Sequence, residues 1–194
     1  GAASGVEGEV MGYGGATAWL FSREGAKVII ADVKDEIGEK TAFQIRDSGG
    51  SAIFVHLDVT DENDWVSAIG TAVSEFGQLN ILVNNAGISG PSVIEETPVD
   101  LWDRQLDVMA KGPFLGTKHA IPEMRKAGGG SIINVSSIFG MVGSLGDSVY
   151  SAAKGAVRTF TKATAVQYAN EGIRANSVHP GWGMTPLTVV PFSD

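Results

Sequence analysis

The chain has no cysteine. That excludes a disulfide framework and a thiolate metal site. Histidine is scarce: His56, His119 and His179 stand apart, at none of the spacings that ligate a metal. Basic residues are outnumbered, 14 Lys and Arg against 22 Asp and Glu, leaving a net charge of −8. Without a basic excess, nucleic acid and an anionic membrane surface are disfavoured as main partners. No apolar run approaches the ~18 residues that span a bilayer. The first residues lack the basic flank and apolar stretch of a signal peptide. The expected compartment is the cytoplasm, with no membrane and no nucleic-acid partner.

What is present is an ordinary globular composition over 194 residues, 43% apolar and 19% charged, enough for one domain with a sizeable core. Strand and helix signals alternate. Short β-branched or apolar runs at 27–32, 52–58 and 131–137 read as strands, as do 80–87 and 173–181, each ending in a turn. Helical patterns fill 35–48, 61–76, 98–126 and 148–172, with Pro98 in a first turn and Pro113 and Pro122 as sites of bending. On the long helix, Ala153, Val157, Phe160 and Thr164 share a face, and Gly172 stands where it would stop. Continuous apolar strands separated by helices predict an α/β fold, a doubly wound parallel sheet covered on both faces. In such sheets ligands bind beyond the carboxyl ends of the strands. Asp32, Asp58, 84–87, Ser136, Ser137 and Pro180-Gly181 lie there.

Tyr150 and Lys154 are four residues apart on one helix and share a face. Ser137 ends a strand thirteen residues earlier, so a loop can bring the two hydroxyls together. A free tyrosine has a pKa of about 10, and a nearby ammonium favours its phenolate. Such a tyrosine can exchange a proton with an alcohol or carbonyl oxygen, while a serine hydroxyl bonds the same oxygen.

At this point the sequence closely resembles the short-chain dehydrogenase/reductase family in its basic single-domain, Rossmann-like form. The matching segments, in family order, are GAASG (1–5), the acidic end of VIIAD (28–32), LDV (57–59), NNAG (84–87), Ser137 with Tyr150 and Lys154, and PGWGMT (180–185). The resemblance implies a single dinucleotide-binding and catalytic domain over 1–194. It implies an oxidoreductase interconverting a secondary alcohol and a ketone. Tyr150 would be the general acid/base, Ser137 would orient the substrate oxygen, and Lys154 would lower the tyrosine pKa and hold the nicotinamide ribose. Gly1, Ser4, Gly5 and Gly14 would form the phosphate turn. Asp32 would take the adenosine ribose hydroxyls, favouring NAD(H) over NADP(H) because a carboxylate repels a 2′-phosphate. Asp58 and Val59 would lie beside the adenine, unless Asp58 is a helix-capping loop acid. Asn85, Ala86 and Gly87 would pack against the cofactor turn, and Pro180, Gly181 and Thr185 would line its phosphate end. A homodimer or homotetramer through the helices at 98–126 and 148–171 is implied as well. Ile138, Phe139, Met141, Val142 and Leu145 would wall a pocket for an apolar alcohol or ketone, with plain core packing open for Ile138 and Val142.

Three departures set an alternative beside this reading. Met109 occupies the position of a family asparagine that supports a water-linked proton path, and a thioether does not donate a hydrogen bond. The family's first and last strands are expected to be lacking, as in a piece of a chain of roughly 250 residues, leaving unpaired strand edges in mid-core. Between Gly5 and Gly14 the glycine pattern is interrupted. Either the extra residues loop out, or a re-formed turn uses Gly8, Gly12 and Gly14. Glu7 and Glu9 oppose a bound phosphate unless they point to solvent. The alternative is therefore a catalytically impaired nucleotide-binding or oligomer-interaction protein, or an inactive truncated product.

Overall fold

The computed structural model describes residues 1–90 and 92–189. Helix α1 (Tyr13–Arg23) leads into β1 (Lys27–Asp32), α2 (Asp35–Asp47) and β2 (Ser51–His56). Helix α3 (Glu62–Phe76) starts where the Asp61 carboxylate accepts the Asn63 N–H and ends at Gly77, whose φ of 86° suits only glycine. β3 (Ile81–Asn84) follows. The predicted helix over 98–126 is two helices, α4 (Val99–Leu106) and α5 (Gly112–Lys126), joined by a π-helical turn at Asp107–Lys111. Pro98 lies one residue ahead of α4, as its cap, rather than in the first turn. Pro113 has no N–H to give the carbonyl four residues back, that of Met109, and the helix widens there, with the Gly112 N–H reaching the Asp107 carbonyl. β4 (Gly130–Val135), α6 (Ser148–Tyr168), β5 (Ile173–Val178) and the short α7 (Pro186–Val189) complete the order. The buried face of α6 carries Val149, Ala153, Val157, Thr161 and Thr164, and Phe160 instead meets Phe114 edge-on at 6.5 Å.

All strand pairs are parallel, and they form two sheets, β1–β2 and β3–β4–β5. The edges of β1 and β3 do not pair with each other. Between them runs an apolar cleft of about 470 Å³ lined by Val28 and Ile29 on one side and Leu82 and Val83 on the other, with Phe21 and Trp65. The expected break at the sheet centre is therefore present, and two core clusters flank the strands, with Ala31 of β1 and Val55 of β2 packed against the one that holds Trp65. One cluster joins Trp19, Ile30, Ala42 and Ile45, and the other joins Trp65, Leu115, Met124, Ile132 and Ile173.

The glycine segment resolves the two frames. The Gly12 N–H donates to the Ser4 carbonyl at 2.8 Å, closing the base of a loop over 5–11. A Cβ on Gly15 would overlap the Ser4 carbonyl and the Gly5 backbone, and one on Gly14 would overlap the Gly1 carbonyl. The two halves of the turn are thus in contact, and the extra residues loop out between them. Glu7, Gly8 and Glu9 are exposed, and Glu9 pairs with Lys40 of α2 at 3.3 Å. Neither glutamate burdens the turn.

Substituting Gly15→Ala forces the 1–5 segment off α1 and is expected to lower unfolding free energy by ~1–3 kcal/mol. Gly70→Ala, on α3 with open space around it, is expected to raise it by ~0.5–1 kcal/mol. Urea denaturation of the two variants checks both signs.

Candidate active site

The carboxyl end of β4 and the first turns of α6 are held by a reciprocal pair of hydrogen bonds. The Lys154 ammonium donates to the Val135 carbonyl at 2.8 Å, and the Ser136 hydroxyl donates to the Lys154 carbonyl at 2.8 Å. Gly140 lies against the same two groups, and a Cβ there would meet the Lys154 carbonyl and Ser136 Oγ at 2.6 Å. This clasp sets Ser137, the next residue of the chain, beside Tyr150, one helical turn before Lys154. The Ser137 hydroxyl hydrogen-bonds the Tyr150 phenol and also accepts the Phe139 N–H at 3.2 Å. The predicted serine, tyrosine and lysine are assembled.

Their electrostatics differ from expectation in one respect. Burial raises the Tyr150 pKa above its ordinary value. The bond to Ser137 works against that rise, and the charges of Asp147 and Tyr13 add to it. The expected lowering by Lys154 does not prevail: the ammonium stands over the ring, 5.5 Å from its centroid, and burial pushes Lys154 itself down to about 8.

The cofactor-side residues converge on the glycine segment. Asp32, at the end of β1, accepts the Ala3 N–H at 3.0 Å and the Lys34 N–H at 3.2 Å. Burial pushes its carboxyl up, and these two N–H groups push it down. Asn85 donates to the Gly1 carbonyl at 2.8 Å. A Cβ on Gly87 would lie 3.6 Å from both Lys154 Nζ and Met109 Sδ, so 84–87 touches the glycine turn at one end and Lys154 at the other, with Ala86 between. Asp58 accepts from Thr60 through its N–H and hydroxyl at 2.9 and 2.8 Å, while Asp61 caps the helix, so Asp58 braces the loop rather than capping. Val59 packs on Gly112. Pro180 accepts the Ile138 N–H at 3.0 Å, Gly181 is exposed, and Thr185 is buried and bonded to Thr188. Gly1, Gly5 and Gly14 carry no side chain where the segment packs on the rest of the protein: a Cβ there would overlap the Ala31 carbonyl, Gly15 and the Gly1 carbonyl in turn. A segment of such small residues at the carboxyl end of β1 is chemically compatible with the phosphates of a dinucleotide.

Sequence reasoning missed several neighbours. Tyr13, at the start of α1, reaches the 180–185 loop, where a Cβ on Gly183 would overlap its hydroxyl. His179 bonds Ser177 and the Ser137 carbonyl, at 2.9 and 3.1 Å. Gln105 is wholly buried against Gly90, with neither amide atom partnered among the described residues. No composition or spacing signal marks these residues. Asp147 has one signal, its place before the long helix. Met109 is wholly buried. Among the apolar wall residues, Met141 and Val142 are exposed and Leu145 fully so, which removes core packing as the role of Val142.

The family model described as short chain dehydrogenase matches residues 5–192. The chain belongs to the short-chain dehydrogenase family. Among its relatives within the family, the cyclopentanol dehydrogenase of Comamonas sp. is 48% identical over 183 residues, covering 94% of this chain and 73% of that protein. The 2,5-dichloro-2,5-cyclohexadiene-1,4-diol dehydrogenase of Sphingobium indicum is 44% identical with the same coverage. The 3-alpha-(or 20-beta)-hydroxysteroid dehydrogenase of Mycobacterium tuberculosis is 45% identical, covering 94% of this chain and 69% of that protein. These relatives place the chain among the alcohol oxidoreductases of the short-chain dehydrogenase family. No helix among the described residues is long and apolar enough to cross a membrane.

The lowered Lys154 pKa has a stability consequence. Below about pH 8 the fold holds a charged ammonium in a dry site, which costs stability. That cost fades as pH rises from about 8 toward the ordinary value of 10.5. Lys154→Met loses the bond to Val135 at every pH but relieves the buried charge only where the ammonium persists, so its thermal midpoint relative to wild type is expected to be more favourable at about pH 7 than at about pH 10. Differential scanning fluorimetry at the two pH values tests the sign.

Proposed function

We propose that the protein interconverts a cyclic, apolar secondary alcohol and its ketone with NAD(H). The observation that carries this reading is the assembled set of Ser137, Tyr150 and Lys154 on the β4–α6 clasp. In the oxidising direction Tyr150 receives the proton of the substrate hydroxyl, and in the reducing direction it returns it. Ser137 hydrogen-bonds the same oxygen and keeps it at the phenol. Lys154 places positive charge over the tyrosine ring, which favours the phenolate once the proton must leave. A bound nicotinamide dinucleotide supplies the hydride acceptor or donor. Gly1, Ser4, Gly5 and Gly14 would cradle its phosphates, with Asn85, Ala86, Gly87, Pro180, Gly181 and Thr185 around it. Asp32 stands at the end of β1, where a carboxylate repels a 2′-phosphate and so supports NAD(H). The exposed side chains of Met141, Val142 and Leu145, and the cyclic alcohols named for the relatives, support an apolar ring as substrate.

A second reading, cofactor binding without efficient turnover, has one observation in its favour. Met109 packs beside Gly87 within reach of Lys154, and its thioether gives that lysine no proton relay.

Turnover of cyclopentanol, cyclohexanol and a hydroxysteroid, followed by NADH absorbance, separates the two. Tyr150→Phe is expected to lower kcat roughly a thousandfold while NADH binding persists. Asp32→Ala is expected to raise activity with NADP relative to NAD. NADH binding with no turnover on the whole panel favours the second reading.

A further inference from the structure

Asp147 makes more bonds than a helix cap needs. It is buried just ahead of α6, and its Oδ1 accepts the Tyr150 N–H at 2.9 Å. One oxygen suffices for that cap. Its Oδ2 accepts the Ser89 hydroxyl at 3.3 Å and the Gly90 N–H at 3.4 Å, on a loop 57–58 residues away in sequence. The backbones run together there too: Ser92 and Asp147 form a parallel bridge, and the Ser92 N–H donates to the Gly146 carbonyl at 2.9 Å. From the other side α4 packs on the loop, and a Cβ on Gly90 would meet Leu101 at 2.5 Å and Gln105 Nε2 at 3.1 Å. An open groove of about 240 Å³ lies between the two joined segments, lined by Ser92, Val93, Ile94, Leu145 and Ser148. Ile94 and Leu145 are both exposed beside it.

We propose that Asp147 is a positioning residue: it ties Ser89, Gly90 and Ser92 to the turn of α6 that carries Tyr150, and so sets the apolar rim formed by 92–94 and 141–145 at a fixed distance from the Tyr150 phenol. The proposal rests on the dehydrogenase reading above and deepens it. The carboxylate joins two parts of the site that are far apart in sequence. One oxygen fixes the helix start, and the other fixes the loop that follows the 84–87 turn. Its charge also faces Tyr150, in company with the Ser137 hydroxyl, the Lys154 ammonium and the Tyr13 phenol.

Three substitutions separate the tie from the cap. Serine caps a helix as well as aspartate does but has a single oxygen, so Asp147→Ser keeps the cap and loses the loop. Asp147→Asn keeps an amide oxygen for the Tyr150 N–H and a donor for Ser89, and it loses the Gly90 bond and the charge. Gly90→Ala displaces the loop without touching Asp147. For Asp147→Ser and Gly90→Ala we expect faster amide hydrogen exchange at residues 89, 90 and 92 and a fall in kcat/KM for a cyclic secondary alcohol of roughly tenfold. For Asp147→Asn we expect kcat/KM at its optimum within about twofold to threefold of wild type, the order of one neutral hydrogen bond lost. Its alcohol-oxidation profile should rise at lower pH, because removing a carboxylate that raises the Tyr150 pKa lets the phenolate form sooner. Wild-type exchange and kinetics in Asp147→Ser overturn the proposal, as does a pH profile unmoved in Asp147→Asn. Faster exchange in Asp147→Ser, in a protein whose wild type oxidises no alcohol, overturns the dehydrogenase reading and leaves the loop tie standing.

Discussion

The site depends on the clasp between β4 and α6. A lysine side chain bonds the strand's last carbonyl, and a serine just past the strand bonds that lysine's own carbonyl. Each bond joins a side chain of one element to the backbone of the other, so neither element can slide without breaking both. Both groups are buried, and a buried polar group left unpaired is costly. Gly140 is required where a third segment presses on the same carbonyl and hydroxyl. From this clasp the chemistry follows by chain connectivity. Ser137 is one residue beyond Ser136, and Tyr150 is one turn before Lys154, so fixing the inner pair fixes the outer pair.

The clasp also explains the electrostatic cost of the site. Lys154 is almost fully removed from water, which is why its pKa falls to about 8. The same dryness raises the Tyr150 pKa. Burial thus pushes both groups toward neutrality, the ammonium by losing its proton and the phenol by keeping it. A phenol that holds its proton is a ready donor to a carbonyl oxygen, and proton removal from an alcohol must work against the burial. The Ser137 hydrogen bond opposes that burial, and the Asp147 charge adds to it.

Much of this was legible in the sequence because it is local. Strand runs, the opening of α3 at Asp61, the Tyr150–Lys154 spacing and Gly172 each express a preference acting within a few residues. The looped-out glycine frame was legible as one of two, and a single bond, from the Gly12 N–H to the Ser4 carbonyl, decides it. The π-helical turn at Asp107–Lys111 was hidden, although Pro113 signalled a bend, because a missing N–H specifies neither a kink nor a widened turn. Tyr13 on Gly183 and Asp147 on Ser89 were hidden for a different reason. They join segments 170 and 58 positions apart, and no periodicity carries that information. The lysine effect on Tyr150 was misjudged because proximity of charge was legible while depth of burial was not.

Side chains connect the two halves of the site. Asn85 bonds the Gly1 carbonyl on the glycine segment. Its neighbour Asn84 donates to Asn134 of β4 at 2.8 Å, and Asn134 donates to Thr161 of α6 at 2.9 Å. Asn84 and Asn134 are directly paired across β3 and β4, so this buried polar relay crosses the sheet at its register. It runs from the 84–87 turn to the helix that carries Tyr150 and Lys154. The β1 and β3 edges are not paired, so no sheet hydrogen bond ties the glycine segment and β1 to the β3–β4–β5 sheet. The Asn85–Gly1 bond is therefore a direct polar link between the β1 half and the 84–87 turn. Through it the spacing between the glycine segment and Tyr150 is held by side chains rather than by strand pairing.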